Sequence, residues 1–254
     1  MCRIISVLNH KGGVAKTATA INLGAALRVR GHRVLLIDLD GQANLTDALG
    51  LSETVAGKDT VYEAMKGGCV LPVYANGDGM EVVPACLDLS AAETELLHEA
   101  GREIILKRLI DPVTVSYDFI LIDCPPSLGL LTLNAMTASD GLLIPVQAEY
   151  LAMRGMAKLM NVFDKVKERL NPELEIEGVV MTRYDSRRNL NQSVAELITE
   201  MFGEKVFKTY IRENVTIAEA TSVGRDVISY APKSTGAQDY MRLGDELLSS
   251  ISVE

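Results

Sequence analysis

The stretch NHKGGVAKTATA, residues 9–20, decides how this chain is read. Two adjacent glycines, Gly12 and Gly13, precede a lysine and a threonine, Lys16 and Thr17, and then a run of helix formers. A loop lacking Cβ atoms brings backbone N–H groups close to an anion, and the helix start adds unpaired amides. The general phosphate-loop template G-x-x-x-x-G-K-[ST] is nevertheless missed twice. Its first glycine falls on His10 and its second on Ala15, so Ala15 is expected to adopt a conformation that alanine tolerates. A further lysine, Lys11, stands where the template specifies nothing.

Outward from the loop, short apolar runs alternate with helical stretches. RIISVLN (3–9), RVLLIDLD (33–40), MEVVPA (80–85), DFILIDC (118–124), GLLIPVQ (141–147), EIEGVVMT (175–182) and EKVFKTYI (204–211) read as strands. Several are apolar throughout, as strands covered on both faces are. TATAINLGAALRVRG (17–31), LMNVFDKVKERLN (159–171) and NQSVAELITEMFG (191–203) read as helices, closed by Gly31, Pro172 and Gly203. This alternation predicts an α/β fold, a doubly wound, mostly parallel sheet flanked by helices. No repeat or domain-separating linker interrupts it, so residues 1–254 read as a single domain, with 50–80 the least regular part.

Composition limits the function. Hydrophobic residues make up 48% of the 254, enough for a sizeable core. A net charge of −9 excludes a protein coated in basic surface, so any nucleic-acid contact needs a local patch working against the overall field. No apolar run approaches the roughly 20 residues that cross a bilayer. The N-terminal MCRIISVLNH lacks the pattern of a secretory signal. Cys2, Cys69, Cys86 and Cys124 form no C-x-x-C pair and read as reduced thiols of a cytoplasmic protein.

The chemistry expected of the loop follows from its residues. Lys16 is suited to bridge the β- and γ-phosphates, and the Thr17 hydroxyl to ligate Mg2+. VLLIDLDGQAN (34–44) ends an apolar strand with Asp38 and Asp40, on one face about 7 Å apart. FILIDCPPS (119–127) ends a second one with Asp123, suited to hold Mg2+ through water. These carboxylates fall at the C-terminal ends of strands, where open α/β sheets bind ligands.

KGGVAKT resembles the deviant phosphate loop K-G-G-x-x-K-[ST] of the ParA and MinD group of ATPases. Residues 123–156 and ENVTIAEATSVG (213–224) resemble its Soj branch, and the likeness covers nearly the whole chain, least over 50–110. The resemblance implies ATP and Mg2+ as ligands, with Lys11, Gly12, Gly13, Val14, Ala15, Lys16, Thr17 and Ala18 around the nucleotide. It implies Thr182 and Arg183 near the base. It also implies a homodimer sandwiching ATP, with Lys11 reaching the partner's phosphates as an arginine finger does. Asp40 then orients the attacking water, helped by Gln42 and Asn44, while Asp38 joins Thr17 and Asp123 around the metal. Lys11, Lys16 and Asp40 are the catalytic candidates.

Soj-like proteins bind non-specific DNA as ATP dimers, and a ParB-like centromere-binding protein activates hydrolysis. The resemblance therefore implies a nucleoid-associated partition ATPase, with Arg187, Arg188 and Arg212 as DNA contacts. Lys205, Lys208, Arg225, Lys233 and Arg242 extend the basic stripe. Such contacts are directed at phosphates and are salt-sensitive. The tail departs from the Soj pattern at Glu213, Thr216 and Thr221, which removes an expected basic contact. Other members of the group position protein cargo or, like MinD, sit on membranes. The acidic ending MRLGDELLSSISVE lacks the basic amphipathic helix that the membrane reading requires. A cluster-carrying relative would need Cys86 and Cys124 as ligands, and Cys124 directly follows Asp123.

Overall fold

The computed structural model describes residues 2–149 and 152–251, and the side chains of 152–154 lie outside that description. Tyr150 and Leu151 of the Soj-like stretch, and the last three residues of the chain, are thus not described.

Among the described residues eight strands form one sheet: β1 (Arg3–Val7), β2 (Val34–Asp38), β3 (Tyr74–Ala75), β4 (Glu81–Val83), β5 (Phe119–Asp123), β6 (Gly141–Gln147), β7 (Glu175–Tyr184) and β8 (Ile211–Arg212). Their order is β3-β4-β2-β5-β1-β6-β7-β8, and every pairing is parallel except β3 with β4. Strand side chains alternate between two apolar layers. Ile4, Leu35, Ile37, Ile120 and Ile122 enter one, while Ile5, Val7, Leu36 and Leu121 enter the other. Burial on both faces explains why these strands read as continuous apolar runs.

The second layer is covered by α1 (Lys16–Val29) and the helix Thr235–Ile251, through Leu23, Leu27, Tyr240, Leu243 and Leu247. Close approach there requires glycine. A Cβ on Gly24 would stand 2.8 Å from Leu36 Cδ2. The opposite layer is covered in part by Leu130–Ala138 and Ala152–Arg169.

The strand expected over 204–211 is largely absent. Gly203–Lys205 is a 3-10 turn, Val206 makes one isolated bridge to Val179, and only Ile211–Arg212 pairs as β8. The apolar Phe207 that suggested a strand instead plugs the edge of the sheet against Gly178, where a Cβ would meet its ring at 2.2 Å. The helix expected from residue 159 begins at Ala152. Residues 50–80 hold two short helices, Ser52–Val55 and Val61–Met65, before the β3–β4 hairpin.

Candidate functional site

Three strand ends set the site. Val7, Asp38 and Asp123 stand level across β1, β5 and β2, because Val7 pairs with Asp123 and Asp38 with Asp123. The glycine loop leaves β1 directly beside the two carboxylates. Asn9 fixes its first turn, donating to the Pro145 carbonyl at 2.7 Å and accepting from the Lys11 amide at 3.0 Å. Thr182, fully buried at the end of β7, donates to the Val14 carbonyl at 3.0 Å. His10 Nδ1 lies 3.1 Å from the Pro126 carbonyl, tying the loop to the one after β5.

Ala15 is the surprise. Its φ of 66° and ψ of 33° are left-handed, so alanine occupies a conformation the general template fills with glycine. The expectation of an alanine-compatible backbone is therefore corrected. From this geometry the Ala15 carbonyl accepts the first helical bond, from Thr19 N at 2.9 Å, and α1 starts at Lys16. Lys16 is nearly buried, with Nζ 3.5 Å from the Lys11 carbonyl. Lys11 Nζ pairs with the exposed carboxylate of Glu149, a contact that sequence spacing does not suggest.

The two strand-end aspartates differ. Asp38 is fully buried and its oxygens are occupied: Oδ2 accepts from Thr46 N at 2.9 Å and Thr46 Oγ1 at 2.7 Å, and Oδ1 from Asp40 N at 3.2 Å. Thr46 Oγ1 in turn accepts from Ala85 N at 3.0 Å. Asp38 thus clamps the loop after β2 to the end of β4, and Thr46 is a partner that sequence reasoning missed. Asp123 is as buried, yet both its oxygens lack a hydrogen-bond partner. Burial pushes the Asp38 carboxyl up to about 6. Burial, and then the neighbouring Asp38, push Asp123 well above the ordinary carboxylate range, opposed by Thr17 and Lys16. Thr17 lies close to Asp123 without completing a hydrogen bond. A buried, donorless carboxylate facing a threonine hydroxyl suits a hard cation.

Asp40 stands at the rim, and its Oδ1 accepts from Gln42 N at 3.0 Å. Asp40, Gln42 and Asn44 line a cleft of about 620 Å³ with Gly12, Gly13, Ala15, Lys16, Thr17 and Ala18. Across Gly13, Ala15 and Ala18 lies a second cleft of about 460 Å³, walled by Arg183, Glu213, Asn214 and Ile217. Arg183, with a left-handed φ of 50°, pairs with Glu213 at 3.2 Å. The first cleft sets Lys16 beside the glycine loop and opposite Asp40 and Asp47, and the second, more apolar one adjoins it through Gly13, Ala15, Ala18 and Thr221.

Residues 2–176 match the family model described as an AAA domain. The chain is 44% identical over 250 residues to the sporulation initiation inhibitor protein Soj of Bacillus subtilis, covering 97% of this chain and 98% of that one. The chain belongs to the ParA/Soj family of partition ATPases. The chromosome partitioning protein ParA of Caulobacter vibrioides is 42% identical over 252 residues, 97% of this chain and 94% of that one. Among solved structures, cobyrinic acid a,c-diamide synthase from Mycobacterium smegmatis, with bound ATP analog and magnesium, superposes with a TM-score of 0.87. It is 36% identical, over 99% of this chain and 96% of that one.

Of the residues a ParA/Soj reading assigns to DNA, Arg187 and Arg188 line neither cleft at the phosphate loop, whereas Arg212 also lines the second one beside Gly13 and Ala15. Arg187, Arg188 and Arg212 line a third cleft, about 710 Å³, together with Lys208, Arg242, Tyr184 and Tyr210. Each arginine is already paired. Arg187 and Arg188 share Asp185, whose carboxyl they hold down at about 2, and Arg212 pairs with Asp239. Lys205, Arg225 and Lys233 are not among that cleft's lining residues. The pairing of Arg212 with Asp239 gave no signal in the sequence, since the two are 27 positions apart. Among the described residues no helix is long and apolar enough to cross a membrane.

Proposed function

We propose that the chain, as one domain, binds ATP with Mg2+, pairs with a second copy across the nucleotide, grips non-specific DNA as that dimer, and hydrolyses ATP to partition DNA. One observation supports this reading above others: a phosphate loop with a second, outward lysine, Lys11, set against carboxylates at two adjacent strand ends. The nucleotide-bound relatives add to it.

In this reading Lys16 and the loop amides hold the β- and γ-phosphates, and Thr182 keeps the loop in shape through Val14. Thr17 and Asp123 are the residues that would hold Mg2+, and Asp38, its oxygens taken by Thr46 and Asp40, supports them from beneath; the ion would offset charge that builds on the phosphates. Asp40 turns a water toward the γ-phosphate, and Gln42 and Asn44 help to orient it. Lys11 leaves Glu149 and reaches the partner's phosphates, so cleavage weakens the dimer and its hold on DNA together. Arg183 flanks the base, while the expected contact from Thr182 is corrected: fully buried, it acts only through the Val14 carbonyl. A ParB-like protein accelerates the otherwise slow turnover, and the protein works in the cytoplasm on the nucleoid.

The test is retention on a DNA column. Wild-type protein is expected to be held with ATP and to elute early with ADP, while Lys11→Ala elutes early in both. Equal retention of wild type in the two nucleotides would overturn the gated-DNA reading.

A further inference from the structure

Asp239 is fully buried, yet it carries two arginines. Its Oδ2 accepts from Arg212 N at 3.1 Å and Arg212 Nε at 3.0 Å. Its Oδ1 accepts from Arg212 Nη2 at 2.7 Å and from the Arg242 guanidinium. Both arginine side chains remain about half exposed on the wall of the 710 Å³ cleft. Seven residues along the same helix, Glu246 accepts from the amides of Lys208, at 2.7 Å, and Thr209, at 3.0 Å. The two carboxylates share one helix face. Between them they pin both ends of segment 208–212. The helix itself is anchored on α1, with Tyr240 buried and its hydroxyl 3.5 Å from Thr19 Oγ1.

We infer that Asp239 is a positioning residue for DNA, holding Arg212 and Arg242 side by side so that their free N–H groups meet a phosphodiester backbone. The inference rests on the DNA-binding reading above. Two guanidiniums repel each other, and free arginines lose rotamer freedom when they dock. A shared buried carboxylate removes both penalties before the ligand arrives. A guanidinium has five donors, and Arg212 gives only two to Asp239, leaving the rest for phosphate oxygens.

Charge alone predicts the opposite outcome, which makes the idea testable. Asp239→Asn removes a negative charge beside a polyanion and, on charge alone, tightens binding. Positioning predicts that it weakens ATP-dependent duplex binding about tenfold, from loss of order in two side chains. It also predicts that the effect disappears in an Arg212→Ala, Arg242→Ala background, because Asp239 then has nothing to hold. This non-additivity is a readout that general destabilisation does not produce, and ATP-dependent dimerisation by light scattering checks the fold of each variant. The full chain is assayed on duplex DNA and on heparin. If wild type binds duplex and Asp239→Asn binds it equally or more tightly, the positioning role is overturned. The same holds if the Asn effect persists undiminished without the two arginines. If wild type ignores duplex but binds heparin, with Asp239→Asn weaker, the DNA reading falls and the positioning of the arginines for a polyanion stands. Binding to neither overturns both.

Discussion

Asp123 and Asp38 stand side by side in the dry end of the sheet, and their electrostatics set how the nucleotide-free protein responds to acid. Both carboxyls titrate above their unfolded values, so the folded state binds protons more readily than the unfolded chain. Stability from these groups is therefore highest in acid and declines as pH rises through about 4 to 6 and beyond, by up to about 3 kcal/mol for Asp38. Asp123→Asn removes the donorless charge, so its nucleotide-free form should melt higher than wild type at pH 8, with a flatter pH dependence. The same variant should lose the extra Tm shift that Mg2+ adds to ATP, which a thermal melt with and without EDTA reads directly. Ala15 makes a different prediction. Left-handed alanine costs about 1 kcal/mol or more, and glycine removes that cost while loosening the unfolded chain by somewhat less. Ala15→Gly is thus expected to be neutral or to stabilise by up to about 1 kcal/mol in urea titrations, whereas Ala25→Gly inside α1 costs about 1 kcal/mol.

Strand β7 shows how one position governs an edge. The β6–β7 register shifts between Leu142 and Leu143, and Gly178 follows the shift with the Phe207 ring packed where a Cβ would be. Gly178→Ala should therefore unseat Phe207 and destabilise the fold by about 1–3 kcal/mol, measurable by denaturation. In a cleaner comparison, Gly155→Ala, with open space at its Cβ, should not destabilise. The central strands and α1 were legible because their side chains are buried on both faces or begin at a glycine loop. Leu130–Ala138 was not, since eight of its residues are buried and no polar stripe marks a helical period. At the sheet edge β8 keeps only two paired residues, so alternation over 204–211 reported burial of Phe207 rather than pairing. In the candidate site, Lys16, Thr17, Asp40 and Asp123 were expected from loop and strand-end chemistry, which is local, and the fold brings them to one end of the sheet. Thr46 beneath Asp38, Glu149 on Lys11 and Asp239 under Arg212 could not, because each contact depends on how distant segments pack.

Across the molecule, charge is segregated. The chain carries −9, yet the cleft wall gathers Arg187, Arg188, Lys208, Arg212 and Arg242 against Asp185 and Glu213. Duplex affinity should therefore fall steeply with salt, and Arg187→Ala should reduce the slope of log K against log salt by about 1 per protomer. Glu213→Arg, which restores a basic residue and frees Arg183, should tighten duplex binding severalfold in the same titration. β1, which delivers the phosphate loop, lies between β5 and β6, so Arg3 waits for Phe119, and Ile5 for Leu121 on one side and Gly141 on the other. During synthesis the glycine loop thus precedes both strands that flank β1, and has no platform to shape it until β5 and β6 have followed. A nascent chain halted near residue 116 should have the lysines for a nucleotide but no grip on it, so it cannot join a finished copy.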